Sequence, residues 1–142
     1  MAIGLFINRP VLIRVAVLWM VPGLFIWWLY VVSAWGVFLT STLAHVGGLI
    51  VGMFVLRRTR MDRTAWLYAL LWFFALQFIS RLITPAELNV NVSHRIYGEW
   101  RQTFASYWTF WLVLSLGTAL LLWILGLFFH RFWPSSPEGT HL

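Results

Sequence analysis

The sequence predicts an all-α integral membrane protein with four transmembrane helices and an amphipathic interfacial helix before the last span. Three observations carry that fold class. The 142 residues are 61% hydrophobic and only 10% charged, with a mean hydropathy of +0.82, a composition typical of membrane proteins. From Val15 to Leu56 no Asp, Glu, Lys or Arg occurs, and His45 is the single histidine. Four arginines, Arg57, Arg58, Arg60 and Arg63, then break the apolar pattern within seven residues, as cytoplasmic loops between spans do.

The uncharged run decides the first two spans. A bilayer core about 30 Å thick takes about twenty apolar residues per helix, so the run reads as two helices folded back on each other. The first span covers about residues 11–32, after a short amphipathic lead holding Arg9 and Arg14. It resembles an uncleaved signal anchor, because its apolar run exceeds a usual signal-peptide core and another span follows at once. Pro22-Gly23 lies near its middle, and a proline there removes a backbone hydrogen bond and predicts a kink that neighbouring helices can tolerate. The turn Ser33-Ala34-Trp35-Gly36 is so short that the two spans form an antiparallel hairpin in direct contact.

The second span covers about residues 35–56. Thr40, Ala44, Gly48 and Gly52 recur every fourth residue, a small-xxx-small ridge that lets another helix backbone come close. The Arg57–Arg63 loop orients the hairpin by the positive-inside rule, and its guanidinium groups also suit anionic lipid headgroups.

The third span covers about residues 64–83 and is aromatic on most faces. Arg81 near its far end is placed to snorkel toward the headgroups. Thr84-Pro85 ends it. In the outer segment 85–106, Ile96, Trp100 and Phe104 fall at helical spacing opposite Arg95, Glu99 and Gln102, a pattern that predicts an amphipathic helix in the headgroup plane. Asn91-Val92-Ser93 matches a glycosylation sequon. The fourth span covers about residues 107–129, and a flexible tail, 134–142, follows. Seven arginines fall on the side of the Arg57–Arg63 loop and three (Arg81, Arg95, Arg101) on the other. Both termini are therefore expected in the cytoplasm, in a membrane of the bacterial inner-membrane type.

Composition also excludes functions. No cysteine occurs, so disulfides, thiolate metal sites and thiol catalysis are absent. The net charge of +6 comes from arginines beside apolar spans, which marks topology and not nucleic-acid binding. The eleven tryptophans suit the headgroup region, where indole anchors span ends.

His45 is the sharpest candidate for chemistry. It falls near the bilayer midplane, where a histidine is costly unless it faces protein or water. Ser41 and Thr42, one turn earlier, can hydrogen-bond to it. The alternatives are a histidine satisfied by those hydroxyls that helps helices dock, an axial ligand to haem or chlorophyll, or a proton relay. A bis-histidine haem needs a second histidine at matching depth, and His94, His130 and His141 all fall outside the spans' centres. Which cofactor, if any, His45 would hold stays open.

The stretch from Ala44-His45 through Gly47, Gly48 and Gly52 resembles the last core helix of rhomboid intramembrane proteases, and Trp19 to Phe25 is loosely similar to the helix before it. In that family the histidine activates a serine held in a Gly-x-Ser-Gly motif on an earlier span. That motif is absent from this sequence, so the resemblance implies shared helix packing and no serine-protease activity. No phosphate loop, acidic pair or metal-ligand cluster occurs either. The sequence therefore points away from an enzyme and toward a small accessory subunit, with membrane lipids and other integral membrane subunits as partners. A self-sufficient immunity-type protein and a haem- or chlorophyll-binding subunit using His45 are the alternatives.

Overall fold

The computed structural model describes residues 4, 6–34, 42–96 and 98–134. Of the described residues 78% are helical, and no strand occurs among them. Among the described residues three helices are long and apolar enough to cross a membrane, which supports a membrane all-α fold. By Cα packing the chain separates into residues 1–69 with 122–142, and residues 70–121.

In the first of these, α1 runs Pro10–Ala34. It opens on a proline, whose missing N–H costs nothing in a first turn, and it carries Pro22 as one uninterrupted element. Residues 35–41, which include Thr40 and Ser41 and begin the expected second span, lie outside the described residues. The chain then makes a π-helical turn at Leu43–Gly47 and continues as α2, Gly48–Thr59. α2 packs antiparallel to α1, with Ile13, Val17 and Leu18 buried on one helix and Leu56 on the other. The expected hairpin is thus present over the described residues, while the described part of its second arm is not among the helices long enough to span.

α2 ends where Arg60 turns to φ 57° and its amide donates to the Leu56 carbonyl at 2.8 Å. Past that corner the Met61 amide donates to the Trp133 carbonyl at 2.6 Å, tying the loop to the residues that follow the last helix. α3, Ala65–Ile83, begins in this unit with buried Ala65 and Ala69, and α4, Tyr107–Phe132, ends in it with buried Leu122 and Phe129. At Gly126 α4 comes close to Trp66: a Cβ there would meet the Trp66 Cβ at 3.2 Å.

The second unit holds the rest of α3, the connection and the first half of α4. Here the structure corrects the sequence. Residues 85–106 do not form an amphipathic interfacial helix; among the described residues they make only two 3₁₀ turns, Val90–Val92 and Gly98–Trp100. The cause is competition from side chains for the backbone. The Asn89 carboxamide oxygen accepts the His94 and Arg95 amides at 3.1 and 3.0 Å, and its nitrogen donates to the Arg95 carbonyl at 3.0 Å. Asn89, Asn91 and Val92 all have positive φ, which no right-handed helix accepts.

Candidate functional site

His45 lies on the π-helical turn, half-buried. Its ring stacks on the Trp27 indole of α1, with centroids 5.5 Å apart and planes inclined by 14°. A π-turn widens the helix by one residue and recurs at functional positions. Its local cause is legible in composition: Ala44, Gly47 and Gly48 have too little side chain to be crowded by the wider turn. Among the described residues no three His, Cys, Asp or Glu side chains come together.

The π-turn also changes the small-residue ridge. Spacing by four keeps residues on one face only under α geometry, and the turn before Gly48 has five. Ala44 is exposed, Gly48 half-buried and Gly52 buried. Gly48 lies directly against the Met20 side chain of α1, whereas a Cβ on Gly47 would meet nothing within 4 Å. Within the chain the close approach therefore belongs to Gly48, with Gly52 buried one turn later. Thr40 lies outside the described residues.

The arginine loop is a built structure. Arg14 of α1 donates from Nε to the Arg60 carbonyl at 2.7 Å and from Nη2 to the Thr59 carbonyl at 2.8 Å, covering carbonyls that the end of α2 leaves open. Arg63 donates to His130 Nε2 at 3.1 Å, and the other ring nitrogen of His130 lies 2.8 Å from the Met61 carbonyl. Those two contacts together describe a neutral imidazole protonated at Nδ1. Asp62, the loop's one acid, faces the start of α3: its carboxylate accepts the Thr64 hydroxyl at 2.6 Å and the Thr64 amide at 2.7 Å. Those bonds hold its carboxyl below the usual value, with smaller help from the charge of Arg14. Arg57 lies over the Phe54 ring at 5.1 Å. The sequence marked the four loop arginines but missed Arg14, His130 and Trp133; the antiparallel register of a hairpin, which brings the start of one span beside the end of the next, could have found Arg14.

In the second unit, polar groups gather around the end of α3. Arg81 donates to the Ser93 carbonyl at 2.9 Å, and its guanidinium carbon lies 5.1 Å from the Tyr107 ring and 5.2 Å from the Trp108 ring. The Tyr107 hydroxyl donates to the same Ser93 carbonyl at 2.6 Å. Gln77 donates to the Asn91 carbonyl at 2.6 Å, and the Asn91 side chain donates to the Ser80 hydroxyl at 2.8 Å. Ser93 is 1% exposed, whereas Asn91 of the same sequon is exposed, with its side chain bonded to Ser80. This cluster anchors the connection and offers no reactive pair. Arg81 stays exposed while it lies beside the two rings and bonds the carbonyl.

Comparison with protein-family profiles, curated proteins and solved structures finds no match for this chain.

Proposed function

We propose that this chain is a small accessory subunit of a larger membrane protein complex. It spans a bacterial inner membrane four times, with both termini and the Arg57–Arg63 loop in the cytoplasm, and it meets its partners through unfilled small-residue faces. The observation that carries the reading is that Gly47 and Gly117 face open space: a Cβ built on either would meet nothing within 4 Å. Each lies on a helical segment beside exposed apolar side chains, Leu43 and Ile50 near the first, Val113, Leu116 and Leu121 near the second. Between 17% and 22% of each long apolar helix window is buried within the chain, which leaves most of that surface for lipid or other helices. Between membrane helices, small residues allow the van der Waals contact that drives association.

Gly47→Leu and Gly117→Leu test the reading, because the first added carbon at either position meets nothing within 4 Å. In native membranes solubilised gently, the wild-type chain should migrate in an assembly much larger than its own 16.6 kDa. At least one variant should fall to the free chain while keeping its helical circular dichroism. A wild-type chain that is stable and unassembled in its native membrane overturns the proposal and favours a self-sufficient protein of the immunity type.

A further inference from the structure

We infer that the groove beside Arg57 is a binding site for one anionic phospholipid, with Arg57 and Arg58 holding the phosphate and the groove holding acyl chain. The groove has a volume of about 230 Å³ and is lined by Leu49, Ile50, Met53, Phe54, Arg57 and Trp133. Its floor is one face of α2, at positions 49, 50, 53, 54 and 57, the spacing of a single helical stripe. Its remaining wall is Trp133, whose backbone carbonyl accepts the Met61 amide. A second depression adjoins it, lined by Phe54, Val55, Arg57 and Arg58.

Charge complementarity chooses the occupant. An apolar trough that ends in cationic groups at the last turn of a helix matches a molecule with a hydrocarbon body and an anionic head. The nearby charges leave those guanidinium groups available. Asp62 is turned away to Thr64, Arg14 is spent on the Thr59 and Arg60 carbonyls, and Arg63 is bonded to His130. Among the described residues Arg57 makes only the ring contact with Phe54, and Arg58 is exposed with no hydrogen bond or ion pair to them. A partner protein helix would fill the trough equally well, but it would not call for two cations at one end.

The test uses the full chain, purified in a neutral detergent and stripped of lipid, observed by native mass spectrometry. It is titrated with phosphatidylglycerol and, separately, with phosphatidylcholine of the same acyl chains. One phosphatidylglycerol should bind at least tenfold more tightly. Arg57→Gln and Arg58→Gln should each weaken it roughly fivefold, the size expected for one arginine at a lipid surface, and leave phosphatidylcholine unchanged. Arg95→Gln serves as a control with no effect. Ile50→Trp, which fills the trough and keeps both charges, should also weaken phosphatidylglycerol, so the site stays testable if an arginine variant fails to fold. Glycerol phosphate at a hundredfold excess should not compete. The inference is overturned by equal affinity for the two lipids, by an unaltered preference in both arginine variants, or by full competition from glycerol phosphate, which would mark a free-phosphate site.

Discussion

The Met20 side chain of α1 ends against the bare Cα of Gly48, so that any Cβ at position 48 must displace it. The displaced atom is the terminal methyl of a flexible side chain, and methionine adapts readily. Gly48→Ala should therefore cost less than about 1 kcal/mol, while Gly48→Leu should cost about 1–3 kcal/mol through overpacking. Unfolding in mixed micelles by a denaturing detergent reads both. Equal losses from the two substitutions would show that the contact is rigid.

Arg14 closes the carbonyl end of α2 from the neighbouring helix. Arg14→Gln removes the charge and the two-pronged donor and should destabilise the chain by about 1–2 kcal/mol, the lower part of the range for hydrogen bonds from charged donors because one of the two bonds is solvent-exposed. Arg14→Lys can satisfy one carbonyl and should fall between. The same unfolding measurement checks the order, and a lysine variant as weak as the glutamine one would contradict it.

Asp62 makes the start of α3 sensitive to acid. Its folded carboxyl lies below the ordinary value of 3.8, first because of the Thr64 hydroxyl and then the Thr64 amide. A depressed carboxylate contributes stability that is full above the unfolded value and is lost as pH falls through the folded one. Hydrogen exchange at the Ala65–Leu67 amides, corrected for intrinsic rates, should accelerate below about pH 4. Asp62→Asn should remove that acid step. A variant that keeps the wild-type profile would place the titration elsewhere.

Tyr107 holds the 85–106 connection with its hydroxyl and Arg81 with its ring. Tyr107→Phe keeps the ring and should cost about 1 kcal/mol, seen as faster exchange and proteolysis in residues 88–96 only. Tyr107→Leu also loses the cation–ring contact and should cost about 1 kcal/mol more. If phenylalanine leaves cleavage unchanged, the hydroxyl bond to Ser93 does not anchor the segment.

The long apolar helices were legible because lipid demands a simple pattern: about twenty apolar residues, broken by arginine or proline. Arg57–Arg63 and Pro85 mark real ends for that reason. The connection was not legible, because Ile96, Trp100 and Phe104 carry helical spacing while the decision is taken by Asn89 and Asn91, whose side chains outcompete helical hydrogen bonds. The glycine positions were legible as close-packing points, yet their division was not. Gly48 meets Met20 and Gly47 meets nothing, because neighbouring helical residues face about 100° apart and the register of α1 against α2 decides which of them is met. The stack of His45 on Trp27 likewise depends on the register between two helices, which only the assembled backbone decides.

The widened turn at Leu43–Gly47 has a consequence for how this segment can vary. It contains one amino acid more than an ordinary coil of the same height, so losing any one of those five would let the usual ladder close. Because the wider turn covers about the same rotation with its extra residue, the residues on either side would keep their present facing. The turn acts as slack in the helix: the loss of one residue is absorbed there, and the side chains of α2 keep the faces they now present.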